Sequence, residues 1–323
     1  MNNRLIALTG AALLLSAGAS FAADAPHFFY LNKLGDNAWF VDEVAGAKAE
    51  AEKLGAKFTS QDLQSDSNRA ITAVDTAIAA GAAGIVIVVP DQQIGPAVLK
   101  KAEEAGIPMI AVDDGIKDAA GKSAPFVGFS GTEIGKQVGM AIVDMYGKLG
   151  WAKPGAETKL ISVEVQTLSV CMDRTDNTIA VLKEKLGLTD DQIMHVPYDP
   201  GTQDKALAGV SQAITAYPAV TKWLIASCND DGVLGAVRAL EQAGFKADDM
   251  IGVGINGQLA CEEFKKAEQT GFRGSIFVDS KVHGSTAIRL LNAKVTKGEA
   301  IPERTIIEGR LITKDSNGGA CAP

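Results

Sequence analysis

The sequence predicts an α/β protein with two doubly wound, mostly parallel sheets. Three observations support this prediction. The chain has 323 residues, enough for two domains of ordinary size. Short apolar runs alternate with amphipathic segments from residue 27 onward. That rhythm breaks once, near the middle of the chain. Strands that alternate with helices favour parallel sheets built from right-handed βαβ units.

In the first half, short apolar runs predict strands that are buried on both faces. These runs are His27–Asn32, Ala56–Ser60, Gly84–Val89 and Pro108–Val112. Apolar residues spaced three and four apart predict helices between the strands. The predicted helices are Phe40–Leu54, Asp66–Gly81 and Gln92–Gly106. A glycine lies at the end of each helix, which suits a left-handed C-cap.

The same alternation continues in the second half, where Thr132 is the candidate N-cap of the first helix. The predicted strands are Lys159–Val165, Gln192–Val196, Trp223–Ser227 and Met250–Gly254. The predicted helices between and after them are Met172–Leu186, Thr202–Ala216, Asp231–Gly244 and Gln258–Gln269. A segment rich in Asp, Gly and Pro interrupts the rhythm before residue 126. We therefore place the boundary between two domains near residue 130.

Residues 1–22 have the layout of a secretory signal peptide. Arg4 supplies a positive charge, an apolar stretch follows, and Ser20 and Ala22 are the small residues that a signal peptidase needs. The apolar stretch is shorter than the roughly 20 residues of a membrane-spanning helix. We expect cleavage near Ala22 and export of the mature protein.

Composition and motifs argue against several classes of protein. The chain has 39 acidic and 31 basic residues and no basic run, so neither nucleic acid nor an anionic membrane is an expected partner. It lacks the GxSxG and HExxH motifs, and no enzymatic activity or catalytic residue is expected. The segment Gly252–Gly257 matches GxGxxG. Its first two glycines lie inside a predicted strand, so no dinucleotide cofactor is expected.

Four cysteines and three histidines are the remaining candidates for special chemistry. The histidines lie far apart and no CxxC pair occurs, so no metal site is expected. Export would place the cysteines in an oxidising compartment. Two disulfide bonds among them can be drawn in three ways. The cysteines are Cys171, Cys228, Cys261 and Cys321.

Polar side chains follow the predicted strands at the sheet edge where doubly wound proteins bind ligands. Examples are Lys33, Asp113 and Asn229. Carboxylate and amide oxygens accept hydrogen bonds from hydroxyl groups, whereas Lys, Arg and amide nitrogens donate to them. An aromatic ring such as that of Trp39 packs against the C–H face of a sugar. This set of side chains predicts a neutral polyol as ligand.

Several stretches resemble the periplasmic sugar-binding proteins of ABC importers, and in particular the L-arabinose binders among them. The stretches are Lys33…Trp39-Phe40, Ile110–Asp114, Trp223–Ile225 with Asn229-Asp230, Val233–Ala239, Gly252–Gly257, Val282–Gly284 and Leu311–Asp315. The resemblance implies a type I periplasmic binding protein with two Rossmann-like lobes and a three-segment hinge. It implies an N-terminal lobe of residues 23–130 and 279–308, and a C-terminal lobe of residues 131–278 and 309–323.

The resemblance also implies which residues line the ligand site. They are Lys33, Asn37, Trp39, Phe40, Asp113, Asp114, Phe129, Leu168, Arg174, Cys228, Asn229 and Asn256. Trp39 would be the stacking platform, and Asp114 would accept a hydrogen bond from the anomeric hydroxyl. Lys33 and Arg174 would donate to sugar oxygens. Asn229 and Asn256 would each offer one donor and one acceptor.

The chain departs from the L-arabinose binders at several of these positions. Asn37 stands where they have a glutamate, and Phe129 and Cys228 replace methionines. Val170 replaces a threonine, and Leu259 replaces an aspartate. L-arabinose is the first ligand expected from the resemblance, followed by D-galactose or D-fucose. An exported binder of a non-sugar small molecule and a secreted sugar-converting enzyme are the alternatives.

The resemblance implies a mechanism and partners as well. A monomer would close its lobes around the sugar in the periplasm and deliver it to an ABC permease. A chemotaxis receptor is a second candidate partner. Because Cys171 and Cys228 lie near the implied site, we expect a disulfide bond between them. Cys261 and Cys321 would then pair with each other or stay free.

Overall fold

The computed structural model describes residues 25–321 and forms two six-stranded sheets with helices packed against them. The predicted fold class is therefore confirmed. The predicted signal peptide, residues 1–22, lies outside the described residues. Between residues 25 and 321, no helix combines the length and the apolar composition that a membrane crossing requires.

The first sheet has only parallel neighbours. In spatial order its strands are β11 (Arg304–Ile306), β5 (Phe126–Gly128), β4 (Met109–Val112), β3 (Gly84–Ile87), β1 (His27–Asn32) and β2 (Lys57–Asp62). Its flanking helices are α1 (Ala38–Lys53), α2 (Ser67–Ala79), α3 (Gly95–Glu104) and α9 (Ser280–Lys297). Together they form the first lobe.

The second sheet contains one antiparallel pair, β10 with β12. In spatial order its strands are β12 (Arg310–Thr313), β10 (Phe272–Phe277), β9 (Met250–Asn256), β8 (Lys222–Ser227), β6 (Thr158–Glu164) and β7 (Ile193–Pro197). Its helices are α4 (Gly131–Lys148), α5 (Ser169–Leu186), α6 (Gln203–Ala213), α7 (Asp230–Gln242) and α8 (Gln258–Phe264). Together they form the second lobe.

The chain passes between the two sheets three times. The passages lie between β5 and α4, between β10 and α9, and between β11 and β12. Each of these connections is three residues long or shorter. The lobe boundaries expected near residues 130, 279 and 308 fall in these connections and stay a prediction.

Apolar side chains cover both faces of the first sheet. On β1, Phe28 and Tyr30 belong to one buried cluster and Phe29 and Leu31 to another, because successive side chains of a strand point to opposite faces. Helices pack over each cluster, so the near-continuous apolar runs of the sequence correspond to strands that are buried on both faces.

Local capping signals were predicted with mixed success. The glycines after the first three helices, Gly55, Gly81 and Gly106, all have left-handed φ angles of 68–73°, as predicted. The prediction that Thr132 is the N-cap of this helix is wrong, because Thr132 lies inside α4, which begins at Gly131. Its cap is Ser130, whose hydroxyl accepts a hydrogen bond from the Glu133 N–H at 3.3 Å. Ser130 has the extended backbone that an N-cap requires.

The four cysteines form two disulfide bonds. Cys171 is bonded to Cys228, as expected, and this bond joins the first turn of α5 to the loop after β8. Cys261 is bonded to Cys321, which ties α8 to the C-terminal segment. No cysteine between residues 25 and 321 is therefore free.

Candidate ligand-binding site

A cavity with about 680 Å³ of space between its atoms, including its mouth, lies between the two lobes. All twelve residues that the sequence predicted for the site line this cavity. Eight further residues also line it: Leu34, Ser65, Val165, Val170, Cys171, Tyr198, Pro200 and Gly201.

The parallel sheets explain why residues so distant in sequence converge here. Lys33 follows β1 and Asp113 follows β4 in the first lobe. Cys228 follows β8, and Asn256 is the last residue of β9 in the second lobe. The carboxyl ends of parallel strands lie at one edge of a sheet, where doubly wound folds bind ligands. The two edges face each other across the cavity.

An ion pair between Lys33 and Asp114 forms part of the cavity wall. The Lys33 Nζ atom donates to Asp114 Oδ2 at 3.0 Å, and both residues are more than 90% buried. Burial raises the pKa of Asp114, and the positive charge of Lys33 partly opposes that effect. One ammonium proton is used in this contact, which leaves two that can donate to a ligand.

Asp113 lies beside Asp114 but turns to different partners. The Trp39 Nε1–H donates to Asp113 Oδ2 at 2.5 Å, and His283 Nδ1 lies 3.0 Å from Oδ1. The Asp113 backbone has a left-handed φ of 61°, a conformation that a non-glycine residue rarely adopts. The two neighbouring carboxylates therefore point to separate hydrogen-bonding groups.

Trp39 is an almost fully buried part of the cavity wall. Its ring lies edge-on to Phe129, with centroids 6.2 Å apart, and edge-on to His283, with centroids 5.2 Å apart. Three contacts, one to Asp113 and two to these rings, therefore fix the indole. That the indole stacks on a sugar stays a prediction.

Arg174 brings a buried cation to the second-lobe side of the cavity. Its guanidinium lies 4.2 Å from the centroid of the Phe129 ring, and its Nη1–H donates to the Cys228 carbonyl. Burial lowers the pKa of Arg174, while Asp113 and Asp114 oppose that effect. Its Nε–H is buried and has no acceptor among residues 25–321. A ligand oxygen would supply one.

Two of the predicted asparagines also serve as helix caps. Asn37 Oδ1 accepts a hydrogen bond from the Trp39 N–H at 2.9 Å and caps α1. Asn229 Oδ1 accepts from Tyr198 Oη at 2.8 Å and from the Gly232 N–H at 3.0 Å, which caps α7. Each side chain therefore has less hydrogen-bonding capacity for a ligand than the sequence suggested.

The family of this chain follows from comparison with known proteins. Residues 28–300 match the model of the periplasmic binding protein domain. The chain belongs to the periplasmic binding protein family. It is 34% identical, over 90% of its length and 88% of the relative's, to the ABC transporter L-arabinose-binding periplasmic protein of Azospirillum brasilense. It is 33% identical, over 97% of its length and 94% of the relative's, to the L-arabinose-binding periplasmic protein of Escherichia coli strain K12.

Solved structures agree with this family. The periplasmic binding component of the arabinose ABC transporter from Shewanella sp. ANA-3, solved with α- and β-L-arabinofuranose, superposes with a TM-score of 0.76. The alignment covers 92% of this chain and 93% of that structure, at 20% identity. At this identity the likeness shows the fold of the periplasmic binding protein and nothing more.

A buried polar cluster lies behind the cavity of this periplasmic binding protein. Glu43, Asp113 and His283 each bring one possible metal-ligand atom within 4.8 Å of the others. Burial, followed by the charge of Asp113, raises the pKa of Glu43 well above its ordinary value. A protonated carboxyl is a poor metal ligand, and His283 and Trp39 already contact Asp113. Trp39 and His283 thus support Asp113, whereas neither carboxyl oxygen of Glu43 has a hydrogen-bond partner among residues 25–321.

A second buried carboxyl, that of Asp230, supports the loop that carries Asn256. It accepts hydrogen bonds from the Ser275 hydroxyl at 2.7 Å and from the N–H groups of Gly257 and Ala260 at 2.9 and 3.2 Å. Burial raises the pKa of Asp230 to about 7, although these hydrogen bonds oppose that effect. The backbone of Asn256 has a φ of 105°, so this loop requires such support.

The sequence reading missed Tyr198, Pro200 and Gly201, which line the cavity. They follow β7, so the strand-end rule that found the other positions would have found these too. Burial raises the pKa of the Tyr198 hydroxyl above its ordinary range. That hydroxyl therefore remains a hydrogen-bond donor to Asn229 at physiological pH.

Proposed function

We propose that this periplasmic binding protein captures a monosaccharide between its lobes and delivers it to an ABC permease. L-arabinose is the first candidate, and D-galactose or D-fucose follows. The observation that carries the proposal is the buried, charged wall of the cavity, formed by Lys33, Asp114 and Arg174. The names of the relatives at 33–34% identity agree with it.

The available hydrogen-bonding groups suit a sugar. Lys33 has two free ammonium protons, Arg174 has an unpaired Nε–H, and Asp114 retains acceptor capacity. Hydrogen bonds to charged groups contribute more than neutral ones. Micromolar affinity corresponds to about −8 kcal/mol. Several such bonds and one aromatic contact with Trp39 are sufficient to reach that value.

Closure of the lobes would bury the sugar. The short connections between the two sheets would act as the hinge, because small backbone rotations in short segments move whole domains. The permease would then bind the surface that closure creates. We further propose that the exported protein acts in the periplasm as a monomer, with a chemotaxis receptor as a second partner.

A thermal-shift screen of the mature protein against pentoses, hexoses, amino acids and nucleosides tests this function. We expect L-arabinose to raise the melting temperature, because a ligand at 100 times its Kd adds about 2.7 kcal/mol to the stability of the folded state. Asp114→Ala and Trp39→Ala should lose the response. Asp144→Asn, at an exposed position on α4, should keep it.

Other outcomes would contradict the proposal in distinguishable ways. A shift only with an amino acid or nucleoside would show that the ligand is not a sugar. Conversion of the sugar during incubation, detected by chromatography, would show an enzyme. Equal responses of the Asp114→Ala and Asp144→Asn proteins would show that the ligand binds elsewhere.

A further inference from the structure

Helix α5 begins without a cap from its own sequence. Its N-cap residue is Leu168, which has no side-chain hydrogen-bond acceptor, so the first N–H groups of the helix need partners from elsewhere. This end of the helix faces the ligand, because Leu168 and Arg174 both line the cavity. The hydrogen-bond acceptor of the first N–H group of α5 can therefore influence ligand binding.

That partner comes from the first lobe. Gln92 lies in a short 3₁₀ turn between β3 and α3, and its Oε1 accepts a hydrogen bond from the Ser169 N–H at 2.9 Å. The Gln92 Nε2–H donates to the Gly115 carbonyl, also in the first lobe, at 2.5 Å. A backbone N–H can only donate and a carbonyl can only accept, so the two contacts together fix the orientation of the amide.

We propose that Gln92 is a positioning residue that holds the lobes together around the bound ligand. This inference rests on the proposed function, because it requires that ligand binding closes the lobes. When the lobes are together, one amide group bridges them and caps α5. When they separate, the Ser169 N–H loses Gln92 as its acceptor and Gln92 keeps only its contact with Gly115.

The bridge lies beside the ligand cavity, and the hydrogen bond between Gln92 and Ser169 is exposed to solvent. Gln92, Gly115 and Ser169 line a side cavity that shares Asp113, Phe129 and Val170 with the ligand cavity. Asp91 fixes the turn that carries Gln92, since its Oδ1 accepts a hydrogen bond from the Gln93 N–H at 2.8 Å. The bridge therefore connects two fixed parts of the protein next to the ligand.

The first experiment compares Gln92→Ala with Gln93→Ala. Gln93 is the exposed neighbour on the same turn and is a matched control. We measure the Kd for L-arabinose by calorimetry and the dissociation rate by stopped-flow tryptophan fluorescence. Gln92→Ala should raise Kd about five- to tenfold, the effect of one net hydrogen bond, and mainly through faster dissociation. Gln93→Ala should bind like the natural protein.

A second variant removes the hydrogen-bond donor on the second lobe, which is the Ser169 N–H. Ser169 is the first residue of α5, a position where helices tolerate proline, which has no N–H. Leu168 has the extended backbone that a residue before proline adopts (φ −112°, ψ 113°). Ser169→Pro should weaken binding to the same extent as Gln92→Ala, and the double variant should be no weaker than either. Ser169→Ala keeps the N–H and should bind normally.

Each outcome decides between the proposals. Independent, additive effects of Gln92→Ala and Ser169→Pro, or an unchanged dissociation rate, would overturn the bridge. If the natural protein binds no sugar, the proposed function fails, and the bridge is tested with the compound that raises the melting temperature in the thermal-shift screen. Faster dissociation of that compound from Gln92→Ala than from Gln93→Ala would then support the bridge, and equal rates would overturn it.

Discussion

Asp113 is buried, but it fixes the positions of other side chains in the site. Its carboxylate accepts a hydrogen bond from Trp39 and contacts His283, which lies 170 positions away in sequence. Because Trp39 is part of the cavity wall, the orientation of Asp113 determines where the indole lies. His283 is fully buried and does not line the cavity. Its effect on ligand binding must therefore act through the residues that it contacts, which are Asp113 and the rings of Trp39 and Phe129.

Two substitutions of His283 separate this role from general packing. His283→Asn places an amide nitrogen near the position of Nδ1 and can still donate to Asp113, whereas His283→Leu fills the space without a donor. A hydrogen bond to a charged group contributes about 1.5–3 kcal/mol, so His283→Leu should raise the Kd for L-arabinose at least tenfold. His283→Asn should restore most of the affinity, as measured by calorimetry.

Tryptophan fluorescence provides the control for that comparison. A packing role would lower the melting temperature of both variants equally and leave their affinities alike. A positioning role predicts that His283→Leu alters the ligand-induced fluorescence change, because Trp39 loses its fixed partner. Equal affinities of the two variants would contradict the positioning role.

At the residue scale, the sequence predicted most of the residues that line the cavity but not the residues that hold them in position. The strand-end rule found Lys33, Asp113 and Asn229 because such positions follow directly from the alternation of strands and helices. Glu43 and His283 lie within helices, where a polar residue carries no local signal of its tertiary partner. Gln92 was assigned to a helix, and its contact with the opposite lobe depends on how two lobes meet.

At the scale of elements, α4 and α5 pack closely enough to require a glycine between them. A Cβ atom at Gly135 would overlap the carbonyl oxygen of Arg174, whose side chain lines the cavity. At the other end of the same helix, a Cβ atom at Gly147 would meet no atom within 4 Å. The two glycines share a helix but differ in the atoms that surround them.

The change to alanine should therefore have opposite effects at these two positions. Gly135→Ala forces the helices apart and should cost about 1–3 kcal/mol of stability, as overpacked cores do. Gly147→Ala should add up to about 1 kcal/mol, because alanine favours helix more than glycine. Thermal and urea unfolding measure both. Stabilisation by Gly135→Ala would contradict the close packing of α4 on α5.

The sequence prediction missed the three strands that follow residue 270, and their compositions explain why. The strand β10 contains Arg273, Gly274 and Ser275, which interrupt the apolar run that identified the other strands. The strands β11 and β12 are only three and four residues long and are largely exposed. Hydrogen bonds to a neighbouring strand, and not local composition, create such elements.

At the scale of the whole molecule, each lobe is assembled from segments that are separated in sequence. The strand β11 joins the first sheet although β6 to β10 lie between it and β5 along the chain. Local patterns predict the strands but not the sheet to which each belongs. The resemblance to a known family supplied that interleaving, because it compares whole chains.

Carboxyl groups whose pKa values are shifted by folding make the stability of the molecule depend on pH. Burial raises the pKa of Asp230 to about 7 and that of Asp231 to about 6. For Glu263, burial is outweighed by hydrogen bonds from Lys266, Arg238 and Thr270, which lower its pKa. The first two groups favour the folded state when protonated, whereas the third favours it when ionised. Stability should therefore be greatest in mildly acidic solution.

Asp230 contributes to the alkaline side of this dependence, together with Glu43, whose pKa burial also raises. In the unfolded chain its pKa is about 4, so between pH 4 and about 7 the folded state holds a proton that the unfolded state has lost. The free energy of unfolding must fall as pH rises through that window. Between pH 5.5 and 8 the ionisation of Asp230 alone should cost the ligand-free protein about 2 kcal/mol, since each pKa unit corresponds to about 1.4 kcal/mol.

Asp230→Asn tests this assignment, because an asparagine cannot ionise but can keep the local hydrogen bonds. Its Oδ1 can accept from Gly257 and Ala260, and its Nδ2 can donate to the Ser275 hydroxyl. Urea unfolding at a series of pH values, without reducing agent, should give a much flatter dependence for this variant. Asp144→Asn, at an exposed position, should keep the slope of the natural protein. If Asp230→Asn also keeps that slope, other groups cause the alkaline loss of stability, and Asp230 is ionised in the folded protein.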